Sequence, residues 1–152
     1  MDQDGINILY VGTAFEERPI LINTVALCIV YDIGSKINRE VTLTTTGVET
    51  HTWSDSDPQV GDWIQTHVAQ MIRLLNTGGS IRRWDPLFRE IFENHGDFSI
   101  TVTNSTDGVY VASVGNTECA VNLAQFHAEV VSGFIEHGRA EVQRAHEVPE
   151  EC

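Results

Sequence analysis

Lysine is nearly absent from this chain. Of nine basic residues only Lys36 is a lysine, and 22 acidic residues oppose them, for a net charge of -13. Such a surface repels phosphate, which speaks against nucleic acid and anionic membranes as partners and for a basic protein. Cysteine is also scarce. Cys28, Cys119 and Cys152 are odd in number, widely spaced and contain no CxxC, a poor pattern for a disulfide framework or a zinc site. Cys28 reads as a small buried hydrophobe. The opening MDQDGIN lacks the basic and apolar regions of a signal peptide. The longest apolar run, Ile20 to Ile33, is fourteen residues interrupted by Asn23 and Thr24, too short to cross a bilayer. A cytoplasmic protein is the expectation.

Motifs that carry chemistry are missing as well. None of the six histidines lies three or four residues from another, so no helix offers the paired imidazoles of an HxxxH site. There is no GxGxxG, no GK[ST] and no GxSxG. Asp2-Gln3-Asp4-Gly5 begins like a calcium loop but lacks the closing glutamate at the required spacing. The expectation is therefore a non-enzyme with no catalytic residue, metal or cofactor. His67, one turn from Trp63, reads as a packing histidine at a helix–sheet boundary.

What is present is a well-punctuated order of elements. Residues 6 to 11 are β-rich. The run from Ile20 to Ile33 is apolar on both alternating faces, as in a central strand. After the Gly34-Ser35-Lys36 turn, Glu40 to Val48 is rich in β-branched residues and reads as its antiparallel partner. Asp57-Pro58 and Asp85-Pro86 each combine an N-cap with a proline at the first helical position. They predict helices over residues 58–76 and 86–94. Val60, Ile64, Val68, Met71, Ile72 and Leu75 form the apolar stripe of the first. Phe98 to Thr103 and Val109 to Val114 flank an Asp-Gly turn as a hairpin. Cys119 to Val121 reads as a short edge strand, and Asn122 with Gln125 as the capping box of a last helix ending near Gly138.

The resulting order, β-β-β-α-α-β-β-(β)-α, predicts an α+β fold. One domain over residues 1–146 should hold a mainly antiparallel sheet with about three helices on one face. Residues 147–152 should form a flexible acidic tail.

One stretch stands out as a candidate surface. Glu49, Trp53, Asp55, Asp57 and Asp62 cluster around the entry to the first long helix. Asp57 has a structural task as cap; Glu49, Trp53, Asp55 and Asp62 have none, and an aromatic among carboxylates is the composition of a hot spot for a basic partner. Arg82-Arg83-Trp84 is an opposite patch, able to pair with the acidic one or to form a subunit contact. Two other readings remain: a small-ligand domain or enzyme with a pocket lined by Phe88, Phe92, Phe126 and Phe134, and a structural or oligomeric subunit assembling through a strand edge.

In size, charge and element order, with Trp63 and Trp84 flanking the central helices, the chain resembles the broad class of small acidic bacterial toxin-immunity proteins. The resemblance spans most of the chain and assigns no individual residue. It implies a cytoplasmic monomer or homodimer that binds and neutralises a cognate, basic toxin.

Overall fold

A computed structural model of the chain describes the backbone of residues 7–11 and all of residues 33–152. The apolar run from Ile20 lies outside the described residues except for Ile33, which is buried. Strand β1 (Asn7–Val11) is followed, after a 3-10 turn at Gly34–Lys36, by β2 (Asn38–Thr44) and β3 (Gly47–Trp53). Then come helices α1 (Pro58–Asn76) and α2 (Pro86–Glu93), strands β4 (Phe98–Asn104) and β5 (Gly108–Gly115), and helices α3 (Glu118–His137) and α4 (Arg139–Val142). The strands form one sheet in the order β1-β4-β5-β3-β2. Every pairing is antiparallel except β1 with β4. The α+β class and the mainly antiparallel sheet are as expected, and β5 takes the middle position among the described strands.

Alternation along the strands divides the sheet into two unlike faces. Val48, Phe98, Ile100, Val102 and Val109 point to one side and are buried there. α1 and α3 pack on that side against β3 and β5, and α2 packs on α3. Val60 of α1, Leu87 of α2 and Leu123 of α3 are completely buried and join the same core. The opposite face carries no helix among the described residues.

Both Asp-Pro helix starts form as read. Asp57 accepts from the Gln59 N–H at 3.1 Å and Asp85 from the Leu87 N–H at 3.2 Å. α1 ends at Thr77, with Gly78 beyond it in the left-handed region at φ 73°.

Three local readings are corrected. The strand expected over Glu40 to Val48 is two strands, joined by a tight turn at Thr45 and Thr46. Threonine favours strands so strongly that the turn is masked in the sequence. Gly47 opens β3 because a Cβ there would lie 1.8 Å from the Ser113 carbonyl oxygen. The edge strand expected at Cys119 to Val121 is the first turn of α3. Its cap is Thr117, whose Oγ1 accepts from the Ala120 N–H at 3.0 Å, while Asn122 sits inside the helix. Gln125 spends its amide on the carbonyls of Thr44 and Gly47 instead of closing a capping box. Finally, the cysteines do make a disulfide: Cys119 and Cys152 are bonded across 33 residues.

That disulfide is one of two ties on residues 139–152. The other is a charged network around Asp85, whose side chain is 0% exposed. Besides capping α2, Asp85 accepts from the His146 N–H, from Arg82 Nη2 at 2.8 Å and from His146 Nδ1 at 2.7 Å. The other ring nitrogen of His146 is 2.9 Å from Glu141 Oε1. Each ring nitrogen of His146 thus faces a carboxylate oxygen. Burial alone would raise the Asp85 pKa, but hydrogen bonds from Arg82 and His146 outweigh it and hold the carboxyl below its ordinary range. His146 is thus anchored just before residues 147–152, the segment read as a flexible acidic tail, and Cys152 at its far end is bonded to Cys119.

Two outcomes check this description. Asp85→Ala leaves Arg82 and two backbone N–H groups without their acceptor and should cost about 3–5 kcal/mol in urea unfolding. Cys119→Ser removes the constraint on a loop of this length and should cost roughly 2–4 kcal/mol in the same assay. A change under about 1 kcal/mol in either variant would contradict the corresponding tie.

Candidate functional site on the open sheet face

β3 carries the centre of the open face. Glu49, His51 and Trp53 alternate with buried or inward residues, so all three project away from the helices. The register sets their neighbours. On β2, Thr42 lies opposite Glu49, Glu40 opposite His51 and Asn38 opposite Trp53. On β5, Ala112, Tyr110 and Gly108 stand opposite the same three. Thr101 and Thr103 of β4 continue the face beyond β5.

Three rings form a stack across it. His51 lies 4.3 Å from Trp53 with an interplanar angle of 14°, and 3.8 Å from Tyr110 with an angle of 9°. The rings are nearly parallel and in close contact, so each limits the rotamers of the next. Gly108 lets β5 lie close against β3: a Cβ there would lie 2.0 Å from the Thr52 carbonyl oxygen and 2.6 Å from the Trp53 Cα. Tyr110 remains 49% exposed at the outer end of the stack. The Nε2 atom of His51 is shielded and has no hydrogen-bond partner.

Beside the stack is a shallow depression of about 260 Å³, lined by Glu40, Thr42, Glu49, His51, Thr101, Thr103, Tyr110 and Ala112 among others. Its two charged side chains, Glu40 and Glu49, are both acids and both exposed. The small Ala112 forms part of its floor. The depression therefore offers carboxylate acceptors, threonine hydroxyls and an aromatic wall, a set suited to hydrogen-bond donors carrying positive charge.

Of the residues singled out from the sequence, the fold brings Glu49 and Trp53 together on this face, with His51 between them. Asp55 stands at its end, where its Oδ1 accepts from Asn38 Nδ2 at 3.2 Å. Asp62 does not join them: it is exposed on α1. Asp57 caps α1 and is ion-paired with Lys36 at 2.8 Å. Its hydrogen bond from Lys36 is the leading reason that its pKa lies below the ordinary value. His51 and Tyr110 were missed. The period-two spacing of Glu49, His51 and Trp53 would have revealed His51 had the strand been read from residue 47.

The Arg82-Arg83-Trp84 patch does not meet the acidic one. Arg82 is committed to Asp85, with its guanidinium over the rings of Trp84, Phe88 and Phe134 at 4.5, 4.9 and 5.1 Å. The phenylalanines proposed to line a pocket do not converge either. Phe88 and Phe134 stack on each other at 6.1 Å, whereas Phe126 is 40% exposed.

The helix side holds a second set of titratable groups. Arg39 points inward from β2 and donates to Ser132 Oγ, Thr52 Oγ1 and the Ala128 carbonyl. Burial lowers its pKa to about 10, so it stays charged at neutral pH. His127 of α3 meets Phe88 edge-on at 5.6 Å. Burial, with smaller contributions from Arg39 and His67, pushes the His127 pKa down to about 4; burial does the same to His67. Both rings are neutral at pH 7. Among the described residues, no group of three His, Cys, Asp or Glu side chains is arranged to hold a metal ion.

Compared with protein-family models, curated proteins and solved structures, the chain matches none.

The two histidines dictate the acid response. In the fold they stay neutral down to about pH 4, whereas in the unfolded chain they take protons below about 6.5. The unfolded state therefore binds more protons in that window, and stability falls as pH drops from about 6.5 to about 4. The full loss is at most about 3 kcal/mol per histidine. Asp85 and Glu141, with folded pKa values below their ordinary ones, add a further loss when pH falls through those values. Chemical denaturation between pH 4 and 7.5 should show this slope. His67→Gln combined with His127→Gln should flatten it, and an unchanged slope would contradict the assignment.

Proposed function

We propose that this chain is a non-enzymatic protein-binding module whose open sheet face receives a basic partner, in the manner of a toxin-neutralising immunity protein. The observation that carries this reading is the Trp53–His51–Tyr110 stack bordered by Glu40 and Glu49. Pre-ordered aromatic rings lose little rotamer freedom on binding, and exposed carboxylates beside them select lysine- or arginine-bearing surfaces. The net charge of -13 accelerates encounter with such a surface. Asp55 belongs to the rim of this site; Asp62 lies apart from it.

No helix among the described residues is long and apolar enough to cross a membrane. The Cys119–Cys152 disulfide favours an oxidising compartment over the cytoplasm. The partner would then be met there.

The test is co-expression with the product of the adjoining gene. If that product arrests growth, the wild-type chain should restore it, and the Glu40→Lys, Glu49→Lys double variant should not. In a direct binding assay the charge reversal should slow association by about tenfold or more at low salt. An adjoining gene with no growth-arresting product, or rescue by the double variant equal to wild type, would sink the reading. A defined oligomer in light scattering would favour an assembly role instead.

A further inference from the structure

We propose that Arg83, Trp84 and Arg89 form a second docking surface, fitted to a carboxylate-rich segment of a protein partner. It is opposite in charge to the open sheet face and stands on the helix side of the sheet. The inference does not depend on the toxin-neutralising reading.

The surface is defined first by its uncommitted charge. Among the described residues, Lys36 is paired with Asp57, Arg82 with Asp85 and Arg144 with Glu141. Arg39 is held inside by Thr52, Ser132 and Ala128. Arg83 and Arg89 are exposed, and neither is ion-paired with a carboxylate among the described residues. Arg89 instead donates Nη1 to the Arg83 carbonyl at 3.4 Å, which keeps the two residues together. In a chain with 22 acids, two neighbouring arginines without an acidic partner are a local exception.

Next to Arg83 in the chain is Trp84, exposed like both arginines. At 55% exposure it is the most exposed large apolar side chain among the described residues. Isolated exposed apolar groups are ordinary, but an indole flanked by guanidinium groups has the composition of an interface anchor. It is also held in place. Arg82 lies 4.5 Å from the ring centroid and is itself fixed by Asp85 Oδ2 and the carbonyls of Val142 and Arg144. The Arg82 backbone is in the left-handed region at φ 52°, a strained conformation for a residue with a Cβ. The same bonds from its guanidinium hold that turn, and the turn presents Trp84 outward. An anchor ordered beforehand loses less entropy on binding.

Charge decides the ligand class. Two guanidinium groups can neutralise about two anionic groups, so a short anionic segment suffices, and the indole beside them favours one whose anionic groups stand on apolar stems. A short segment with carboxylates and apolar stems fits: each guanidinium takes a carboxylate through paired hydrogen bonds, and the indole covers a stem.

The experiment is a titration of the isotopically labelled full chain, following the Trp84 indole and the arginine Nε–H resonances by NMR. The probes are hexaglutamate, hexalysine and a six-residue thymidine oligonucleotide. Hexaglutamate should give saturable shifts at Trp84, weakened at least about fivefold in high salt. They should disappear in Arg83→Glu, Arg89→Glu and persist in Glu40→Gln, Glu49→Gln. Hexalysine should leave Trp84 unmoved. Absence of saturable shifts with hexaglutamate, shifts that survive the arginine reversal, or tighter binding of the oligonucleotide would each overturn the proposal. The substituted positions are all exposed, and unchanged dispersion of the core resonances verifies the fold of each variant.

Discussion

A carboxylate with no exposure to water must find donors within the protein, and Asp85 finds four: two backbone N–H groups, a guanidinium and an imidazole. The four donors come from three pieces of structure. Leu87 belongs to the first turn of α2, Arg82 to the strained turn before it, and His146 to the segment that follows α4. A buried charge left half-satisfied would be costly, so the three pieces are fixed relative to one another by one side chain. Arg82 extends the constraint outward to the rings of Trp84, Phe88 and Phe134. The disulfide between Cys119 and Cys152 closes the same region covalently at the start of α3.

This arrangement leaves the two sides of the sheet unlike. The helices and the anchored segment occupy one side of the sheet and bury its apolar residues. The other side carries no helix among the described residues. Its aromatic stack is rigid, its charged groups are acids, and its depression is shallow. A shallow and polar surface of this kind suits contact with a macromolecule better than enclosure of a small ligand. The helix side presents the reverse polarity at Trp84. The distribution of charge over the fold is therefore uneven despite the uniformly acidic composition.

Much of the candidate site was within reach of sequence reasoning, and the missing part has a definite cause. Glu49 and Trp53 drew notice because an aromatic among acids has no structural explanation. Asp55 and Asp62 drew notice by proximity in sequence alone, and proximity around a helix start does not imply a shared face. His51 was hidden because the strand boundary was misplaced by the threonine-rich turn. Tyr110 was hidden because its partner across the sheet is 59 positions away, set by the register of β3 with β5.

The sequence by itself determined the features that act over a few residues. An aspartate before a proline caps a helix through its own side chain, an apolar stripe at helical spacing buries one side of α1, and an Asp-Gly turn folds β4 back onto β5. These depend on local dihedral preferences and adjacent donors and acceptors. Tertiary structure alone decided that Cys119 meets Cys152, that His146 reaches Asp85 and that Tyr110 stacks on His51. Those outcomes join positions that are distant along the chain. Their free energy comes from contacts that exist only once the sheet and helices have packed, so no local pattern encodes them.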